Sequence, residues 1–140
     1  MIGAHSITLP ADTRILAELR SFIFSIATEN GIDPQTLHAL ELAADEIATN
    51  VIDHVAPEMP CDIFCQCSIN SEEHIITCEI SWQSNEPFRP DVLPQSDHIR
   101  QRLENRQPGG LGIFLIHALV DDIEYDYHDG RSLIRLMKKL

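Results

Sequence analysis

Apolar residues recur at helical spacing over two stretches of the first third of the chain, and at strand spacing over most of the remainder. Ile15, Leu16, Leu19, Phe22, Ile23 and Ile26 fall three or four apart. That spacing predicts a helix from about Thr13 to Glu29, capped by Asp12 or Thr13 and ended at Asn30-Gly31. Asp33-Pro34 restarts the chain with an N-cap residue followed by proline at the first helical position. Leu37, Leu40, Ala44, Ile47, Ala48 and Val51 then line one side of a second helix to about Val55, and Pro57 and Pro60 bracket the loop beyond it. Ahead of both helices, Ser6–Pro10 reads as a short edge strand closed by Pro10.

Alternation then takes over. Cys61–Asn70 and Glu73–Trp82 carry apolar residues at every second position and are joined by a polar turn around Ser71-Glu72. Asp122–His128 and Arg131–Lys138 form a second hairpin around Asp129-Gly130, a dipeptide that tolerates the two positive φ angles of a tight turn. Between these hairpins the pattern breaks. Pro87, Pro90, Pro94 and Pro108 mark a long loop over about 83–108, with room for a short helix near 97–105, and Leu111–Val120 reads as a short apolar helix. Loops of this length inside a compact domain usually bind or cover something. Two long helices, a short one and about five strands in mostly antiparallel order predict an α+β two-layer sandwich, with the helices packed on one sheet face.

Size and charge narrow the candidates. The chain has 140 residues, enough for a single domain over 1–140 with its own core. No apolar run is long enough to span a bilayer, and Met1-Ile-Gly-Ala-His-Ser6 lacks the basic and hydrophobic regions of a secretory leader; a cytoplasmic protein with no membrane partner is expected. The net charge of −12 argues against a nucleic-acid partner, because neutralising backbone phosphates needs a basic surface. The charge is also uneven. Residues 1–88 hold 14 acidic side chains against Arg14 and Arg20 alone, whereas 89–140 hold 8 of each sign. A phosphate-bearing ligand would therefore take its positive partner from a metal ion, a helix N-terminus, or Arg100, Arg102 and Arg106. Cys61, Cys65, Cys67 and Cys78 sit on the apolar faces of the first hairpin, beside Ile63, Ile69, Ile76 and Ile80. This spacing favours packing over zinc or a disulfide.

Two patterns carry chemistry. Glu46 and Asn50 lie one turn apart on the second helix, with Asp53 and His54 continuing the same line. On an otherwise apolar helix such a pair costs desolvation unless a ligand or a solvent-filled cleft receives it. A carboxylate that accepts a proton, next to an amide oxygen that binds a hard cation, suits phosphoryl transfer from a magnesium nucleotide. The second pattern is Gly109-Gly-Leu-Gly112 opening an apolar helix, where bare backbone and free N–H groups attract phosphate. Each has a plainer explanation: polar residues at the edge of a helix, and a tight turn that seats the next helix.

Together, and in this order, the two stretches resemble a known family. Glu41-Leu-Ala-Ala-Asp-Glu-Ile-Ala-Thr-Asn-Val-Ile-Asp-His54 is similar to the N-box of the GHKL (Bergerat-fold) ATPase superfamily. Gly109-Gly-Leu-Gly-Ile-Phe-Leu-Ile116 and Leu119-Val-Asp-Asp-Ile-Glu-Tyr125 are similar to its second glycine box and the strand after it. Over nearly the whole chain the closest likeness is to the small anti-sigma-factor serine/threonine kinases of bacteria. The resemblance implies ATP and Mg2+ as ligands, Glu46 as general base or as the residue orienting the attacking hydroxyl, and Asn50 as magnesium ligand. It places Asp53 and His54 beside the nucleotide, and Gly109, Gly110, Leu111 and Gly112 under the phosphates. Arg106 would reach a phosphate from a lid over 91–108, and Ser132 would lie near the base.

One box departs from the pattern. Gln83 stands where the family has an aspartate that receives the adenine amino group, and Asn85 and Pro87 stand where it has glycines. A neutral amide in place of a carboxylate weakens such a bond by on the order of 1–3 kcal/mol. Two functions are compatible with the resemblance. One is a partner-switching kinase that binds a sigma factor or related regulator and phosphorylates a STAS-type antagonist. The other is a weakly catalytic or inactive module of the same fold that sequesters a partner. A homodimer is compatible with either.

Overall fold

Asp33-Pro34 shows how local chemistry sets the frame. The Asp33 carboxylate accepts a hydrogen bond from the Thr36 backbone N–H at 2.8 Å, and Pro34 occupies the first helical turn, where its missing N–H costs nothing. Hydrogen bonding from the Thr36 side chain, and then from this backbone N–H, holds the Asp33 carboxyl below its ordinary range. Asp33→Ala is expected to lower Tm by about 3 °C at neutral pH. A depressed carboxyl pKa stabilises the fold above the ordinary value of 3.8, and that gain is lost as pH falls through the folded-state value. Thermal melts of the two proteins should therefore converge as the pH drops below 3.8.

In the computed structural model, which describes residues 2–86 and 116–140, the elements are β1 (Ile2–Pro10), α1 (Leu16–Glu29), α2 (Pro34–His54), β2 (Asp62–Asn70), β3 (Ile75–Gln83), β4 (Asp122–His128) and β5 (Arg131–Lys139). Residues 116–119 are also helical; the rest of the expected helix, 111–115, lies outside the described residues. Asp12 is the residue that caps the first helical region. Its carboxylate accepts from the Arg14 N–H at 2.9 Å and starts a short 3₁₀ turn, Thr13–Ile15, that leads into α1.

The strands form one sheet in the order β1-β2-β3-β5-β4, and every pairing is antiparallel. The expectation of a mostly antiparallel sandwich is met, with no parallel pair among the described strands. β1 is longer than expected, running from Ile2 rather than Ser6. β3 begins at Ile75 rather than Glu73, because the turn between the hairpin strands spans 71–74 and ends on His74 at φ 57°. The second hairpin turns as expected on Asp129 (φ 51°) and Gly130 (φ 76°).

Strand alternation divides the sheet cleanly. Ile63, Cys65, Cys67 and Ile69 of β2, Ile76, Cys78, Ile80 and Trp82 of β3, and Ile134 and Leu136 of β5 are all buried. They join Leu19, Ile23 and Ile26 of α1 and Leu40, Ile47 and Val51 of α2 in one core cluster. The opposite face carries polar rows. In one of them Arg135 of β5 bridges Glu79 of β3 at 3.0 Å and Glu124 of β4 at 2.6 Å. The helices are tied to each other by the Arg20–Asp45 ion pair at 3.6 Å. Among the described residues no helix is long and apolar enough to cross a membrane.

Candidate functional site

α2 buries Ala43, Ala44, Ile47, Ala48 and Val51 against the sheet and α1. The remaining side of the helix carries the polar line. Glu46 and Asn50 are half-buried at its edge, and Asp53 and His54 are exposed one turn further on. Helical geometry thus puts a carboxylate and an amide at the boundary between core and solvent, where a ligand can displace water without a full desolvation penalty. Burial pushes the Glu46 carboxyl above its ordinary value, and the negative charges of Asp45 and Asp53 push it further the same way. A carboxylate whose proton affinity is raised is a better general base near neutral pH.

Asp45, adjacent in sequence, serves a different purpose. It points toward α1 and Arg20, and its Oδ1 is buried with no hydrogen-bond partner at bonding distance.

At its far end β3 runs one residue further than expected. Gln83 belongs to the strand, not to the loop. It is exposed, and its register partner is Arg131, in the row of the open face rather than the helix-covered one. It borders a hollow of about 400 Å³ between Pro10, Asp62 and Ala56. Strand parity explains the difference: Cys78, Ile80 and Trp82 face the helices, and the next residue of that parity is 84, not 83. Ser84 is buried, with its Oγ 2.8 Å from Ser132 Oγ and donating to the Glu86 carbonyl at 2.7 Å. Its N–H donates to the Gly130 carbonyl at 3.0 Å, and its own carbonyl accepts from the Tyr127 hydroxyl at 3.2 Å. Ser84 therefore anchors the exit of β3 to the β4–β5 hairpin.

Ser132 is fully buried beside it, opposite Trp82. Because the Glu86 carbonyl can only accept, the relay runs from Ser132 through Ser84 to Glu86 and uses both hydroxyl protons. Sequence pattern alone had not singled out Ser84; extending the even-numbered alternation of β3 by one step finds it.

Asn85 is exposed beyond this anchor. Arg106, Gly109, Gly110, Leu111 and Gly112 lie outside the described residues, as does the expected lid over 91–108. The structure brings Glu46, Asn50, Asp53 and His54 onto one helix, and Ser84 and Ser132 into one buried pair.

Comparison with known proteins agrees with this fold. The Serine-protein kinase RsbW of Bacillus cereus is 24% identical over 129 residues, covering 90% of this chain and 79% of that protein. The structure of the RsbU and RsbW domains of a Mycobacterium tuberculosis protein superposes with a TM-score of 0.68 at 14% identity, covering 99% of this chain but only 33% of that one. The SiaB–SiaC complex from Pseudomonas aeruginosa gives a TM-score of 0.60 at 13% identity over 97% of this chain and 89% of that one. At such identities the two structural likenesses concern the fold. The sequence model of the histidine kinase-like ATPase domain matches residues 9–138, and the chain belongs to that family.

Proposed function

We propose that this chain is an ATP-dependent protein serine/threonine kinase of the partner-switching, anti-sigma type. The observation that carries the proposal is Glu46, half-buried one turn from Asn50, with its carboxyl raised by burial and by Asp45 and Asp53, in a histidine kinase-like ATPase domain. Likeness to kinases named for serine phosphorylation supports a serine hydroxyl as acceptor. The partners are then a sigma factor or related regulator, bound in one state, and a STAS-type antagonist, phosphorylated in the other.

In this reading Glu46 takes the proton of the acceptor serine as its oxygen bonds to the γ-phosphorus, and the bond from that phosphorus to the β-phosphate oxygen breaks. Asn50 offers a neutral amide oxygen for magnesium. Among the described residues no three His, Cys, Asp or Glu side chains form a cage for a metal ion. A single amide oxygen fits magnesium well, since that ion usually keeps several waters and takes its other oxygens from phosphates. Bound there, magnesium would neutralise phosphate charge. Asp53 and His54 flank the nucleotide, Gly109–Gly112 and Arg106 hold its phosphates, and Ser132 braces the strand end near the base.

Titration calorimetry with Mg-ATP, followed by phosphate transfer to a co-purified antagonist, tests the proposal. Asn50→Ala is expected to weaken nucleotide binding at least about tenfold in magnesium and to change it little in excess chelator. Absence of heat with the wild type at millimolar Mg-ATP would instead favour the sequestering module.

A further inference from the structure

Three thiols lie together in the core and have no part in the kinase chemistry. Cys65, Cys67 and Cys78 are each 1% exposed or less, and all are reduced. Cys67 and Cys78 are directly opposed in the β2–β3 ladder, and their sulfur atoms are 2.7 Å apart. Cys65 lies on the same face of β2, but its register partner is Ile80. Opposed residues of an antiparallel pair hold their Cα atoms about 4.5–5.5 Å apart, inside the span a disulfide bridges. No strand slip is needed to join them.

We propose that Cys67 and Cys78 are a modification site, a thiol pair that a small disulfide such as oxidised glutathione converts into an intramolecular disulfide. One cysteine thiolate attacks a sulfur of the oxidant, forming a mixed disulfide and expelling one glutathione thiolate. The second cysteine thiolate attacks the protein sulfur of that intermediate and expels the other. Two protein thiols lose two protons and two electrons, and the oxidant is reduced to two glutathione molecules.

The surroundings set the rate of this reaction. The hydrogen bond with Cys65 draws the Cys67 thiol down, but contact with Cys78 and burial push it well above the ordinary range. The reactive thiolate is therefore scarce in the closed fold, and oxidation is gated by transient opening of the layer between β2, β3 and α2. Urea below the unfolding transition should accelerate it. Once formed, the bond closes a short loop around the hairpin turn and stabilises the fold mainly by restricting the unfolded chain. This inference is independent of the proposed kinase activity.

The test treats the full chain with oxidised glutathione in low urea, alkylates free thiols after unfolding, and maps the peptides by mass. The expected result is one linked peptide pair containing Cys67 and Cys78, with Cys61 and Cys65 alkylated. A Tm rise of about 5 °C or more, reversed by dithiothreitol, should accompany it. Alkylation of all four cysteines, or a link through Cys65, overturns the proposal. Cys65→Ser should leave the linked pair intact, and Cys78→Ser should remove it; if the second variant fails to fold, the wild-type map decides alone.

Discussion

Glu46→Ala should reduce phosphate transfer to serine by about 10²–10⁴-fold while leaving ATP affinity within about threefold. In the proposed mechanism the carboxylate acts on the acceptor proton and has no positive charge to offer a triphosphate, so its loss would fall on the chemical step. Single-turnover transfer and calorimetry on the same preparation separate the two quantities. A variant that transfers phosphate at the wild-type rate would remove Glu46 from the mechanism.

The pH profile gives a second readout. Burial, then Asp45 and Asp53, raise the Glu46 carboxyl above its ordinary value of 4.5, so the acid limb of the wild-type rate should lie above that value. Asp53→Asn removes one of the negative charges and should move the limb toward lower pH. Stability has the same sign. A carboxyl raised in the fold contributes stability below its unfolded pKa and loses it as pH rises through the folded value. At neutral pH Glu46→Ala should therefore melt no lower than the wild type.

The largest stability effect is expected at Trp82. Its side chain is 1% exposed at the end of β3, between Ile63 of β2 and Ser132 of β5. Trp82→Ala should cost about 3–5 kcal/mol in urea unfolding, since it removes the largest fully buried side chain and leaves a void the sheet cannot close. Trp82 is the single tryptophan, so circular dichroism rather than fluorescence must follow the variant. Phe24 makes the contrast: it is 54% exposed on α1, and Phe24→Ala should stay within about 0.5 kcal/mol of the wild type. Equal losses at the two positions would contradict the boundary between core and surface in this fold.

Periodicity made most of this architecture readable in advance. The two helices, both hairpins and the buried faces of β2 and β3 are set by where apolar residues fall, because a face that must leave water cannot tolerate a change of period. Capping chemistry made Asp33 plain, and turn chemistry did the same for Asp129-Gly130. The misses have physical reasons too. β1 extends back to Ile2 because the ladder with β2 supplies backbone partners that side-chain pattern does not reveal. The first hairpin turn ends on His74, whose positive φ is uncommon outside glycine and gives no compositional signal. For the candidate site, the line of Glu46, Asn50, Asp53 and His54 was visible because a helix repeats so regularly. Ser84 was not, because its importance lies in contacts to Gly130, Ser132 and Tyr127, more than 40 positions away.

Closure of the sheet around Ser84 bears on how the chain can diverge. β3 is zipped to β5 along its whole length, its exit is pinned at residue 84, and Ile116 is buried in the same core. Natural variation at Ser84 or Ser132 must therefore keep a small hydrogen-bonding pair, because a larger side chain at either buried position would force β3 and β5 apart. Among descendants of a common ancestor, these two positions should accordingly change together, while exposed positions such as Glu73 drift freely.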